Sequence, residues 1–135
     1  MAQKIRVALL TQTIDGRLAA GTALVARKYI EALLSRPDEF ELTFVHYEKS
    51  DDPIYRRGVR EVILPEFRLR FLNRRFLRLI YYFLTTSDRF DIMHWFQSRL
   101  YPFFWWAPAT YIVAPLHGAG DLAPDNPFVL MRSVF

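Results

Sequence analysis

Three histidines, His46, His94 and His117, carry the side-chain chemistry of this chain that titrates near neutral pH. Each falls at or just past the end of a short β-prone run. A histidine so placed can act as a base, donate a hydrogen bond to a sugar hydroxyl, or position a phosphate. If the runs are parallel strands of an open α/β sheet, all three histidines lie on its carboxyl edge, where such sheets bind ligands. The loop Gln12–Gly21 joins a strand to a helix at that same edge, and Gly16 and Gly21 allow close backbone approach. Free N–H groups and the dipole at a helix start attract phosphate or carboxylate. The spacing in this loop is neither GxGxxG nor a P-loop.

His117 stands in the Gly-containing turn His117-Gly118-Ala119-Gly120-Asp121 after the fifth strand, where a functional histidine and a structural or solvated one are both open readings. His94 lies within the run DIMHW, where a partly buried histidine satisfied by its neighbours is expected, and His46 reads as having no functional role. The three are dispersed without HxH or HxxxH spacing, so no metal site is assigned. No Ser-His-Asp set, paired-carboxylate motif or nucleophile elbow stands out. The absence of cysteine excludes a disulfide framework, a thiol nucleophile and a cysteine-bound metal, and is compatible with a reducing cytoplasm.

The elements that must hold these residues can be read in order. Ile5–Thr11 (IRVALLT) is apolar with almost no alternation, the pattern of a strand buried on both faces. Thr22–Leu34 places Ala23, Ala26, Ile30, Leu33 and Leu34 at helical spacing. Further strands are expected at Glu41–Tyr47, Val59–Leu64, Asp91–Trp95 and Thr110–Leu116. Helices are expected at Phe67–Thr86 and, more briefly, Gln97–Ala107, and Glu48–Gly58 reads as a polar loop. Strands alternating with helices imply right-handed crossovers, hence a Rossmann-like open parallel sheet with helices on both faces. Residues 1–121 form that domain. Residues 122–135 start a following helix or connection, so the chain is expected to be the N-terminal part of something longer.

The 135 residues suit one domain, and 52% hydrophobic content is enough for a packed core. The net charge of +4 is local: Phe67–Ser87 holds Arg68, Arg70, Arg74, Arg75 and Arg78 and no acid, leaving the remainder near −1. On a helical wheel all five arginines share one half with Phe71, Tyr81 and Tyr82. The opposite half gathers Leu69, Leu72, Phe76, Leu77, Leu79, Ile80, Phe83 and Leu84. Arginine beside aromatics suits an anionic membrane surface or a phosphorylated acceptor, with Arg70, Arg74 and Arg78 as the contacting residues. The plain alternative is a surface helix whose aromatics pack on a neighbouring domain or loop. No nucleic-acid-binding motif is present. No stretch is long and apolar enough to be a signal peptide or a membrane span.

Four segments in this order resemble the N-terminal domain of GT-B fold glycosyltransferases, the large retaining family 4 group. They are KIRVALLTQT, AGTALVARKYIEALL, FDIMHW and YIVAPLHGAGD, and they span most of Lys4–Asp121. Two departures are plain. The family's Gly-Gly pair is Ala20-Gly21 here, and its His-Asp pair is His117-Gly118, with Asp121 the nearest acid. The resemblance implies that Gly21, and less directly Gly16, approach a donor diphosphate, and that His117 faces the reacting centre. It also implies that His94 and the adjoining loop border the acceptor pocket, with Asp121 beside it. It further implies transfer of a hexose, with retention, from a nucleotide-diphosphate sugar to a sugar, polysaccharide or lipid-linked acceptor. No cofactor or metal is required, and departure of the diphosphate is stabilised electrostatically. A separate C-terminal domain would bind the donor, so this segment alone would be inactive. The location expected is cytoplasmic, with a peripheral site on the inner face of the membrane. Two other classes compete. One is a non-catalytic α/β binding module that recruits a separate catalytic subunit. The other is a receiver- or flavodoxin-like regulatory domain, disfavoured because the first strand ends in Thr11-Gln12-Thr13 and not in an acid cluster.

Overall fold

The computed structural model describes residues 3–11, 14, 21–96 and 105–114. Five strands, β1 (Ile5–Leu10), β2 (Phe40–His46), β3 (Arg60–Ile63), β4 (Phe90–Trp95) and β5 (Ala109–Val113), form one sheet in the order β3-β2-β1-β4-β5. Every pairing is parallel. This is the Rossmann-like open α/β sheet that the strand–helix alternation implies. Strands β1 to β4 lie within one residue of their expected bounds, and β5 starts one residue early and ends at Val113, three residues before the expected Leu116. The order reverses direction between β1 and β4, which defines the switch point of the sheet.

The non-alternating sequence of β1 has the consequence expected of it. Val7 and Leu9 pack on one face with Leu42, Phe44, Ala26 and Ile30. Ala8 and Leu10 pack on the other with Val45, Met93, Trp95, Leu79 and Phe83. Successive side chains of a strand point to opposite faces, so the two helices cover opposite sides of the sheet. Helix α1 (Gly21–Leu34) contributes Ala26 and Ile30, and helix α2 (Arg75–Thr85) contributes Leu79, Tyr82 and Phe83. Helix α1 stops where Ser35 N–H donates to Glu31 O at 3.0 Å and its hydroxyl donates to Ala32 O at 2.6 Å, just ahead of Pro37.

The segment expected to be a polar loop holds a 3₁₀ helix, Pro53–Arg56, with Ile54 and Tyr55 buried. Asp52 caps it by accepting from Ile54 N–H at 3.1 Å, and Pro53 supplies a pre-set φ at its first position. Arg27 of α1 forks onto both Asp52 carboxylate oxygens and straps the turn to the helix. That guanidinium holds the Asp52 carboxyl below its usual range. Before β3, Gly58 turns the chain with φ +76°, a value that side-chain-bearing residues rarely adopt.

The largest difference from expectation lies at Phe67–Thr86. The segment is not one helix. A 3₁₀ turn spans Arg70–Leu72, and α2 begins only at Arg75. Asn73 causes the break. Its side-chain oxygen accepts from Phe67 N–H, and its amide donates to Phe67 O at 2.7 Å, closing residues 67–73 into a compact loop. Within α2 the side that meets the sheet is Arg78, Leu79, Tyr82 and Phe83, rotated about a quarter turn from the most apolar half of the wheel. Arg78, expected on the solvent half with Arg70 and Arg74, is 5% exposed. Tyr82 is also buried, whereas Phe76, Leu84 and Leu69, expected in the core half, are exposed.

Arg78 tolerates burial because the carboxyl ends of β2 and β3 supply acceptors. Its Nε donates to Pro65 O at 2.9 Å, and Nη2 donates to Tyr47 O at 2.8 Å and Leu64 O at 2.7 Å. The guanidinium also lies 5.3 Å from the centre of the Tyr47 ring. Burial pushes the Tyr47 phenol up to about 12, partly offset by Arg75 and Arg78. Replacement of Arg78 by methionine leaves three carbonyls without their donor, two of them on buried residues. The expected loss is roughly 3 kcal/mol or more in urea denaturation. Arg74→Met, at an exposed position, should change stability by less than about 0.5 kcal/mol. Equal effects of the two substitutions would refute the structural role of Arg78.

Candidate functional site

The candidate site is the crevice at the carboxyl ends of β1 and β4. In open parallel sheets the crossovers on the two sides of a switch point leave the sheet in opposite directions, which opens a cleft there. Here β1 is followed by Thr11 and, through the connection containing Ile14, by the N-terminus of α1 at Gly21. Leu9 of β1 pairs in register with His94 of β4, so His94 sits beside the exit of β1. Thr11 is fixed from two sides. Its N–H donates to Val45 O at 3.0 Å, and its hydroxyl accepts from Tyr55 at 2.8 Å.

His94 occupies an aromatic recess on the α1 face of the sheet. The Tyr29 ring meets it at 4.3 Å in a T-shaped contact, and the Phe96 ring stacks on it at 4.2 Å. Tyr29 and Phe96 meet edge to face at 6.0 Å. The periodicity that buries Ala26 and Ile30 carries Tyr29, three residues after Ala26, toward β4. His94 is only 6% exposed, and burial lowers its pKa to about 4, so the imidazole is neutral at pH 7. Its Nδ1 is buried with no hydrogen-bond partner among the described residues. Leaving such an atom unpaired costs about 1–3 kcal/mol, and a native fold seldom bears that without a reason. A neutral imidazole can donate from one nitrogen and accept at the other, which suits hydroxyl recognition.

His46 has a different setting. It ends β2 with a fully buried side chain, its Nε2 lies 2.5 Å from Glu61 Oε1, and its ring stacks on Tyr55 at 4.4 Å. Tyr55 in turn donates to Thr11. These residues form a polar chain that fastens the 3₁₀ helix to the sheet. His46 and His94 share the α1 face of the sheet, but β1 lies between their strands, so they are about 10 Å or more apart. The fold therefore brings His94 together with Tyr29, in the middle of α1, and with Phe96. It does not bring it together with His46. Gly16, His117 and Asp121 lie outside the described residues. Gly21 is the first residue of α1, at the crevice.

Arg70 and Arg74 are exposed, and Arg78 is corrected to an interior residue that cannot meet a membrane or phosphate from solution. Sequence reasoning missed Tyr29, Tyr55 and Phe96. Tyr29 had a signal, an aromatic on the flank of the apolar face of α1. Among the described residues no three His, Asp or Glu gather closely enough to hold a metal ion. Three cavities of about 430, 330 and 370 Å³ lie at the opposite, amino edge of the sheet. Three arginines that line them are already committed to carboxylates: Arg57 to Glu31, Arg60 to Asp88 and Arg6 to Asp91. Arg6 Nε, at two of them, is buried without a hydrogen-bond partner among the described residues, its paired Asp91 oxygen lying 4.0 Å away. No protein-family model, curated protein or solved structure matches this chain.

The lowered pKa of His94 links to stability. Between about pH 6.5 and 4 the unfolded chain binds a proton that the folded chain refuses, so stability falls as pH drops through that window. The full contribution is present above pH 6.5 and is about 3 kcal/mol. His94→Phe keeps the aromatic packing and removes both the titration and the unpaired Nδ1. It should flatten the acid limb of a stability–pH curve measured by urea denaturation from pH 4 to 7. An unchanged slope would show that His94 is solvated.

Proposed function

We propose that this chain is the acceptor-side domain of a retaining GT-B glycosyltransferase of the family 4 kind, which moves a hexose from a nucleotide-diphosphate sugar. One observation carries the reading: a neutral, buried imidazole at the switch-point crevice whose Nδ1 has no hydrogen-bond partner among the described residues. A sugar acceptor presents hydroxyl groups, which such an imidazole recognises without ion pairing. The flanking rings of Tyr29 and Phe96 suit the apolar face of a sugar. The order of the four family-like segments along one parallel sheet supports the same reading.

In this reading His94 and the neighbouring loop border the acceptor, with Asp121 beside it. His117 faces the reacting centre, and Gly21 and Gly16 approach the donor diphosphate. A separate donor-binding domain completes the cleft, as either a continuation of the chain or a partner. The protein acts in the cytoplasm, on the inner face of a membrane. No helix among the described residues is long and apolar enough to cross a membrane, so attachment there is peripheral in this proposal.

The test uses the native protein purified from its cell, assayed for hexose transfer from labelled nucleotide sugars to sugar and lipid-linked acceptors. His94→Phe should lower kcat/KM for the acceptor by about tenfold or more and leave the KM of the donor unchanged. The isolated 135-residue chain should be inert. Turnover by that chain alone would overturn the two-domain reading. Acceptor binding without transfer by native protein of mass 16.0 kDa would favour the non-catalytic binding module instead.

A further inference from the structure

Helix α2 turns an apolar face to the outside. Its sheet-facing side holds Arg78, Leu79, Tyr82 and Phe83, all buried, and the Arg75 guanidinium lies 5.4 Å from the centre of the Tyr47 ring. At 100° per residue the opposite side is Leu77, Ile80, Tyr81 and Leu84. Leu84 is 65% exposed, Tyr81 is exposed, and Leu77 and Ile80 are partly so. A helix on the surface of a soluble domain normally carries polar residues there.

The preceding loop extends this surface. Asn73 holds it closed through both of its bonds to Phe67, and the Phe67 ring meets Tyr81 edge-on at 5.1 Å. The loop therefore lies against α2 with its shape fixed in advance. It presents Phe71, 68% exposed, and Leu69, 54% exposed. Around these apolar groups Arg68, Arg70, Arg74 and Arg75 are all exposed, and the segment from Phe67 to Ser87 contains no acid.

We propose that Phe67–Leu84 is a preformed docking surface for an anionic lipid bilayer, with Leu69, Phe71, Tyr81 and Leu84 entering the interface and Arg68, Arg70 and Arg74 on the headgroups. An apolar face rimmed by cations is the pattern of an interfacial helix. Charge selects the occupant. A second copy packed on this face by two-fold symmetry would oppose two acid-free arginine clusters. A nucleic acid would use the arginines and aromatics but has no use for the aliphatic row Leu77, Ile80 and Leu84.

The inference deepens the peripheral location proposed above and rests on that reading, but not on glycosyl transfer. It also adds a geometric consequence. Arg78, in the first turns of α2, binds the last carbonyls of β2 and β3, so the loop and the start of α2 lie at the carboxyl edge. The loop end of the docking surface thus lies at the same edge as His94, on the opposite face of the sheet.

The experiment is co-sedimentation of the full chain with vesicles of phosphatidylglycerol and phosphatidylcholine, with pure phosphatidylcholine vesicles as the neutral arm. Binding should require the anionic lipid and weaken with salt. Arg70→Ala with Arg74→Ala should lower the partition coefficient by roughly 30-fold, about fivefold for each arginine. Phe71→Ser with Leu84→Ser should lower it by at least tenfold, with far-UV circular dichroism unchanged. Retained binding in either double variant would overturn the proposal. So would equal binding to neutral vesicles, or full displacement by inorganic phosphate at the same phosphate concentration. Vesicle-free self-association, or oligonucleotide binding, that is lost in the Phe71–Leu84 variant while vesicle binding stays absent would assign the face to another partner. Hexose transfer is not measured in any arm, so failure here leaves the enzymatic reading standing.

Discussion

Five parallel strands end on one edge, and the carbonyls and side chains that emerge there have no strand partner beyond them. Everything distinctive in this structure answers that constraint. On the β2–β3 half the answer is Arg78, which reaches back from α2 to the carbonyls of Tyr47, Leu64 and Pro65. A guanidinium suits this task because its donors are fixed in a planar fork, and delocalised charge is weakly hydrated. On the β1–β4 half part of the answer is the Tyr55 hydroxyl on Thr11. His94 Nδ1 is left with no protein partner. The edge is thus sealed on one half and chemically open on the other.

Spending an arginine in the interior also shapes the exterior. Arg78 and Tyr82 take sheet-facing positions, so the apolar residues of the same helix fall on its outer side. Asn73 closes the 67–73 loop through its two bonds to Phe67, and that loop carries the exposed Leu69 and Phe71. The amino edge behaves differently. There Arg60 forks onto Asp88 at 3.0 and 2.8 Å and Tyr82 donates to the same carboxylate at 3.2 Å, so the groups are paired among themselves. The Arg60 guanidinium accordingly holds the Asp88 carboxyl below its usual range.

The fold was largely legible because its signals are local and redundant. The unbroken apolar run of β1 can only be satisfied by burial on both faces, and the Ala23, Ala26, Ile30 spacing allows one helical face. The 3₁₀ helix at Pro53–Arg56 was not legible, since two apolar residues among Ser, Asp, Arg and Gly show no period. Its burial depends on Arg27, distant in sequence, gripping Asp52. The crevice was half legible. Strand ends placed His94 at the ligand edge, but nothing in the run DIMHW revealed that its neighbours would be Tyr29 and Phe96 or that burial would keep it neutral.

The sequence by itself determined the strands, the first helix, the parallel sheet and the concentration of positive charge between Phe67 and Ser87. These follow from period, composition and connection length, which are properties of neighbouring residues. Only the tertiary structure decided which arginine is structural and which arginines meet solvent, which histidine nitrogen stays unpaired, and which side of α2 is greasy. Each of those depends on acceptors and rings contributed by residues far away in the chain, and on which side of α2 meets the sheet.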